Sequence, residues 1–391
     1  MSPASGVTSA AVAGALRVYD VNAVAVDSAL ALLDVSATRH DLAQSRIAFI
    51  NARRAYKRVE WLAEHYTPLT ASALNGPAID KPDEESPQII VHPTGLQVIE
   101  AMLYRANAPE AILDSVAIQA RIARINIKRI RNRVAETLVT ESQLFDAARI
   151  ELGRMVSLGI SGFDTPLVGT AIPEASATIG SISVTMVDFA PTSTQNIELQ
   201  RIGNVARAFL DSAKSVDAFD RFTFITAYAN PFARALAELQ LVADVKRLSD
   251  RRAWNAAANS VFDTNAFDPQ GFAPPGARPT SPQLVSLGER LFSESRLSGK
   301  NDRSCVTCHM PARALADGRR IPALLPVGSA ASAKLVTANE MRVSAPPRNT
   351  PTLYNAALQA ASFADARIAF LEDQIATVIH NPREMGGDLA R

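Results

Sequence analysis

Both cysteines of the chain and one of its five histidines stand together, as Cys305-Val306-Thr307-Cys308-His309. Two thiols three positions apart can lie along one side of a helical turn. So spaced, they can reach the two vinyl groups of a porphyrin and hold it as thioethers, while the adjacent imidazole turns to the iron. Three other chemistries compete for the same residues. A dithiol redox pair belongs beside a βαβ unit, and no strand pattern surrounds the motif. A zinc site takes four ligands in a tetrahedron, and the next histidine, His380, is remote in sequence. A disulfide across two intervening residues would staple almost nothing. One covalent haem c, attached at Cys305 and Cys308 with His309 as proximal iron ligand, is the favoured reading because it uses every cysteine.

Composition bounds what must position this motif. At roughly 150 residues per domain, 391 residues suggest two or three domains. Apolar residues are 47% and charged residues 20%, ordinary for a globular chain and too apolar for disorder. Forty basic side chains face 39 acidic ones, a net charge of +1. That balance removes the electrostatic case for a nucleic-acid or anionic-membrane binder. No uninterrupted apolar run reaches the roughly 18 residues of a spanning helix, so no transmembrane span is expected. Few aromatics and much Ala, Leu, Ile and Arg favour helices. The expected fold class is all-α, an N-terminal helical bundle followed by a cytochrome c-like haem domain.

Periodicity fills in the bundle. Leu42, Phe49, Tyr56 and Ala63 recur every seven residues, with Arg46, Arg53, Arg54, Lys57 and Arg58 off the stripe, and Thr67-Pro68 closes the helix. A loop with Asn75-Gly76-Pro77 and Asp83-Glu84-Glu85 follows, and helix resumes at Gly95. Beyond Pro109, Ile112, Val116, Ala120, Ala123, Ile127, Ile130 and Val134 form one face. The opposite side holds Arg121, Arg124, Lys128, Arg129, Arg131 and Arg133. This basic side is a solvated face, or alternatively a docking patch for an acidic partner. Between Val261 and Gln283 the chain turns to Pro, Gly and Asp. The expected divisions are a bundle at 1–258, a linker at 259–282 and a haem domain at 283–391.

A family resemblance emerges around the motif. Leu287-Gly288-Glu289-Arg290-Leu291-Phe292, Arg296-Leu297-Ser298-Gly299 and the motif itself resemble the first haem segment of bacterial di-haem cytochrome c peroxidases, whose members include the methylamine-utilisation type. So do Ala316-Asp317-Gly318, Arg348-Asn349-Thr350-Pro351-Thr352-Leu353-Tyr354-Asn355 and Asn381-Pro382-Arg383-Glu384-Met385-Gly386. The resemblance implies that the haem reacts with hydrogen peroxide. It implies Gln374 and Glu384, ten residues apart, as distal catalytic residues, the amide holding peroxide and the carboxyl moving its proton. It also implies Asn349 as a calcium contact. Ile368, Leu371, Ile375 and Val378 mark the helix that would carry Gln374, with Pro382 as its stop.

Departures shape the expectation. Residues 310–348 contain no histidine, so the iron is expected to keep an open position. Met341 is the alternative sixth ligand and Met385 a lesser one. Ala364-Asp365-Ala366-Arg367 replaces the family's Trp-Asp-Gly-Arg. A second haem domain, usual in the family, is expected to be missing, as in a truncated chain. Pro93-Thr94-Gly95-Leu96-Gln97-Val98-Ile99-Glu100 is similar to the Gly-x-His-x-x-Glu segment of imelysin-like helical proteins, with Gln97 at the histidine position. Glu100 and His92 are read as structural.

The functional expectation is a peroxidase-like c-type haem oxidoreductase. Its electrons would come from a small redox protein, a cytochrome or cupredoxin, or from a protein substrate. The alternatives are a mono-haem electron-transfer module with Met341 as ligand, and a helical scaffold binding iron or a partner. Covalent haem implies the periplasm. The Ser/Ala/Gly-rich start, without a basic residue before Arg17, suggests that an export leader is missing.

Overall fold

The computed structural model describes residues 9–82, 86, 88–105, 111–249, 252–317, 349–363 and 366–389. Asp83-Glu84-Glu85, Pro109, Gly318, Met341, Arg348 and Ala364-Asp365 lie outside the described residues. The chain divides into two compact units, Met1–Ser249 with Ala256–Asp263 and Asp250–Asn255 with Thr264–Arg391.

The first unit is helical: α1 (Ala10–Thr38), α2 (Leu42–Tyr56), α3 (Glu60–Tyr66), α4 (Pro68–Asn75), α5 (Leu96–Tyr104), α6 (Ile112–Glu136), α7 (Glu141–Arg154), α8 (Ala171–Met186), α9 (Thr194–Asp211), α10 (Arg221–Phe224) and α11 (Asn230–Val242). Side-chain caps start several of them. Ser9, Asp41 and Ser193 accept from Val12, Gln44 and Asn196 N–H, and Thr140 with Gln143 forms a capping box. The expected helix over the Leu42–Ala63 stripe breaks at residues 57–59. Pro68 does end α3, yet it also opens α4 from the first turn, where its missing N–H costs nothing. Two two-residue strands, β1 (Lys81–Pro82) and β2 (Ile90–Val91), pair antiparallel.

Helix α1 packs along both α2 and α6. Asp20, Asp27 and Asp34, seven apart on α1, meet Arg131, Arg124 and Arg121 of α6 at 2.5, 2.8 and 2.9 Å. The basic side of α6 is solvated, as expected, and at these positions also pairs with α1 along a seam whose ion pairs set the register of two antiparallel helices. Exposed pairs of this kind contribute about 0.2–1 kcal/mol each. Helix α1 corrects one expectation, the missing leader, while no clear transmembrane span emerges among the described residues. Judged by length and average composition, it is apolar enough to cross a membrane, because three spaced aspartates interrupt a run without making it polar. A core helix and a signal sequence share that composition, so the expected absence of a leader is not borne out.

The interior of this unit is charged. Arg53 is fully buried and donates through Nε and Nη2 to Glu174 (2.8 and 2.9 Å) and through Nη1 to Asn75 Oδ1 (3.0 Å). Lys57 Nζ lies 2.5 Å from both Glu60 Oε2 and Asp164 Oδ2. Arg154 bridges Glu64, Glu151 and Glu60 at 2.9, 3.2 and 3.5 Å. Arg53 and Lys57 lie off the apolar stripe and yet are buried. Buried carboxylates on other elements make their charge tolerable inside. Lys57, Glu60, Glu151, Arg154, Asp164 and Glu174 line a cavity of about 10 Å³, room for one water. Glu100 is also buried, accepting from Leu167 and Val168 N–H at 2.9 and 2.8 Å.

The charged interior makes stability depend on pH. Burial, then repulsion from Glu60, pushes the Glu151 carboxyl from 4.5 up to about 8, and burial pushes Glu64 to about 6. The folded state then holds protons that the unfolded chain releases near pH 4.5, so this contribution is complete below that pH. Stability of the full chain is expected to fall as pH rises from about 4.5 to 8. Glu151→Gln should flatten that slope in urea titrations at successive pH values. Equal slopes in the two proteins would count against Glu151 as its source.

The second unit contains α12 (Pro282–Phe292), the one-turn α13 (Cys305–Cys308) and α14 (Leu371–His380). Trp254 and Phe267 bridge antiparallel with rings 5.8 Å apart, and Pro269–Phe272 forms a 3-10 turn. Ser281 caps α12, which buries none of its side chains; Leu284, Val285, Leu287 and Leu291 are all exposed. Ile379 and Met385 are buried. Ile368 lies before α14 and bridges Ser362 instead of joining the helix.

Candidate functional site

The cysteine motif makes one helical turn. Ser304 N–H donates to Thr307 Oγ1 (3.0 Å), and His309 N–H closes on Cys305 O (2.9 Å). Neither cysteine forms a disulfide, and both are half-buried. Burial raises the Cys305 thiol pKa above its ordinary value. Helix α12 brings the Phe292 ring within 6.3 Å of the His309 ring.

The backbone just past the motif orients the imidazole. Pro311–Arg313 makes a 3-10 turn, and Ala314 and Leu315 then take φ of 54° and 56°. Left-handed backbone costs a residue with a Cβ roughly 1–2 kcal/mol. The result is a carbonyl aimed back at the motif, with Leu315 O 2.9 Å from His309 Nδ1. A carbonyl only accepts, so Nδ1 carries the hydrogen and Nε2 keeps its lone pair. Metal-binding histidines are commonly fixed through the second nitrogen in this way.

Across the unit, Asn381–Gly387 carries the glutamate. Glu384 N–H and Gly386 N–H both donate to Asn381 O at 2.9 Å, and Gly386 has φ 56°. This turn lies against the irregular segment that leads into the motif. Arg303 Nη1 donates to Glu384 O (3.1 Å), and Gly299 N–H to Met385 O (3.0 Å). The approach requires glycine: a Cβ on Gly299 would stand 2.1 Å from Gly386 O, and one on Gly387 2.0 Å from Leu297 O. Glu384 Oε2 is buried without a hydrogen-bond partner. Burial raises the Glu384 pKa, against the opposing pull of the Asn381 side chain, Arg367 and His309. Arg367 stacks on Phe363 with its guanidinium carbon 3.9 Å from the ring centre.

The structure therefore ties the turn that carries Glu384 to Gly299 and Arg303, just ahead of the cysteine motif. Gln374 lies half-buried on α14, its N–H bonded to Phe370 O at 3.2 Å. Asn349 is exposed at the start of the segment that leads to Thr350 and Thr352. Among the described residues, no group of three or more His, Cys, Asp or Glu side chains could hold a metal ion. Sequence reasoning missed the Leu315 carbonyl and Arg303, and named Arg367 and Asn381 only as motif positions without a role. Gly299 and Gly386-Gly387 were the signal for the turn, since paired glycines mark close backbone approach. A main-chain carbonyl leaves no trace in residue types.

The residues fit a covalently held haem. Two cysteines outside any disulfide precede an imidazole whose iron-binding nitrogen is left unprotonated by its neighbour, and a buried carboxyl oxygen without a partner lies nearby. Residues 282–391 match the family described as di-haem cytochrome c peroxidase. This segment resembles that family. The family implies haem c as its cofactor.

Over the matched segment, the methylamine utilization protein MauG of Methylophilus methylotrophus is 33% identical over 114 residues, 29% of either chain. The cytochrome c551 peroxidase of Pseudomonas aeruginosa is 33% identical over 108 residues, 28% of this chain and 27% of that protein. The cytochrome c peroxidase Ccp of Escherichia coli K12 is 34% identical over 107 residues, 27% and 20% respectively. The chain thus spans less than a third of the length of these relatives. A solved structure of an imelysin-like protein from Psychrobacter arcticum 273-4 aligns with 63% of this chain and 99% of its own, at 15% identity and a TM-score of 0.44.

Proposed function

We propose that the peroxidase segment is a c-type haem oxidoreductase that takes hydrogen peroxide as oxidant. Its electrons come from a small redox protein, a cytochrome or cupredoxin, or from a protein substrate, and it works in the periplasm. The observation that carries the reading is the His309 Nδ1–Leu315 O contact of 2.9 Å, which leaves Nε2 beside the two thiols as a ready iron ligand. Cys305 and Cys308 would hold one haem as thioethers and His309 would ligate its iron. When bound, that group supplies the one-electron chemistry that side chains lack.

The chain's own residues do the rest. Glu384 accepts a proton from peroxide and returns it to the leaving oxygen, a task suited to a carboxyl whose pKa burial has raised above its ordinary value. Its unpartnered Oε2 is the atom for that exchange. Gln374 positions peroxide through its amide. Asn349 would give one oxygen to a calcium ion completed from outside the described residues.

Chain exported through a cytochrome c maturation pathway should carry one haem that survives denaturation, read by mass spectrometry and by its haemochrome spectrum. Cys305→Ser with Cys308→Ser should carry none. Unmodified sulfhydryls in the exported parent chain would defeat the reading.

A further inference from the structure

We infer that Thr352, in the segment after Arg348-Asn349, is a positioning residue for the His309 imidazole. The inference rests on His309 being the proximal ligand. The hydrogen-bond chain runs outward from the ring. His309 Nδ1–H donates to Leu315 O at 2.9 Å, Leu315 N–H donates to Met310 O at 2.9 Å, and the Thr352 hydroxyl donates to Ala314 O. The Ala314 carbonyl belongs to the peptide plane that sets φ of Leu315. Fixing it therefore fixes where the next carbonyl, that of Leu315, points.

That plane needs holding. Ala314 and Leu315 are consecutive left-handed residues with side chains, at φ 54° and 56°, a conformation a turn does not keep without external bonds. The same segment grips the turn once more, through Thr350 N–H to the buried Asp317 carboxylate at 3.5 Å. Arg313 Nη1 closes the loop on Asp317 O at 2.7 Å. Thr352 is the one donor of this set that is an exposed side chain reaching in from a distant part of the sequence. Removing it leaves the other bonds in place.

The consequence is electronic. A well-aligned Nδ1–H···O=C bond makes the imidazole a stronger donor through Nε2, which favours ferric over ferrous iron. Losing the alignment weakens the donor. In the haem-loaded full chain, Thr352→Val keeps the shape and removes the hydroxyl. It should move the midpoint potential positive and the iron–histidine stretch of the ferrous form to lower frequency, with haem content unchanged. Thr352→Ser should return both to the parent values. A valine variant with haem attached but parental potential and stretch would overturn the inference. So would a serine variant that shifts like valine, since serine keeps the hydroxyl. Should Thr352→Val fail to load haem, Thr352→Ala is read by the same two measurements. A parent chain without covalent haem would overturn the attachment reading itself, a result separable from these.

Discussion

Glu384→Gln is expected to lower peroxide turnover by about 10²–10⁴-fold, the usual range for removing a general acid–base group. The haem absorption spectrum should stay that of the parent chain. Glutamine keeps the shape of the side chain and can still accept from Asn381, so the turn from Asn381 to Gly387 has no cause to move. What it loses is the proton at Oε2. The parent carboxyl is held above its ordinary pKa chiefly by burial, against the Asn381 side chain, Arg367 and His309. It must be ionised to take the proton from peroxide. The parent rate should therefore rise with pH through that raised pKa, and the glutamine variant should lack this limb. Stopped-flow turnover against pH measures both. An unchanged rate and an unchanged profile would remove Glu384 from the mechanism.

Arg53→Met is expected to destabilise the chain by about 3–5 kcal/mol, because removing one partner leaves a buried charge uncompensated. Glu174, nearly inaccessible, would keep only the Thr170 hydroxyl at 2.7 Å, and the Asn75 Oδ1 atom would lose its donor. Urea denaturation should show a lower midpoint with little change in slope, since the same surface is exposed on unfolding. Replacing both partners, Arg53→Met with Glu174→Met, should recover most of the loss, as apolar replacements of buried pairs are often neutral. If the double variant is as unstable as the single one, the cost lies in packing and not in the stranded carboxylate.

Glu384 and Arg53 differ in how much of their role is legible locally. Glu384 stands out because it lies ten residues after Gln374, the spacing that the resemblance to the peroxidase family singles out, whereas nothing local reveals that its Oε2 is buried without a partner. Arg53 and Lys57 fall off a heptad stripe, and a stripe predicts such residues to face water. Their partners Glu174 and Asp164 lie 121 and 107 positions away. The basic side of α6 is another case. Asp20, Asp27 and Asp34 share a spacing of seven, yet the spacing says nothing of which helix they will meet.

Determined by the chain's residues alone were the helical class, the helices at Ile112–Glu136 and Pro282–Phe292, and the Cys305, Cys308 and His309 motif on which the proposed attachment rests. Each is local, a matter of side-chain type repeated at 3.6 residues or of thiols one turn apart. Left to tertiary structure were the charged interior of the bundle, the tautomer of His309 and the surroundings of Glu384. All three depend on groups distant in sequence or on main-chain carbonyls. Energies of burial and hydrogen bonding exist only once folding has fixed those neighbours.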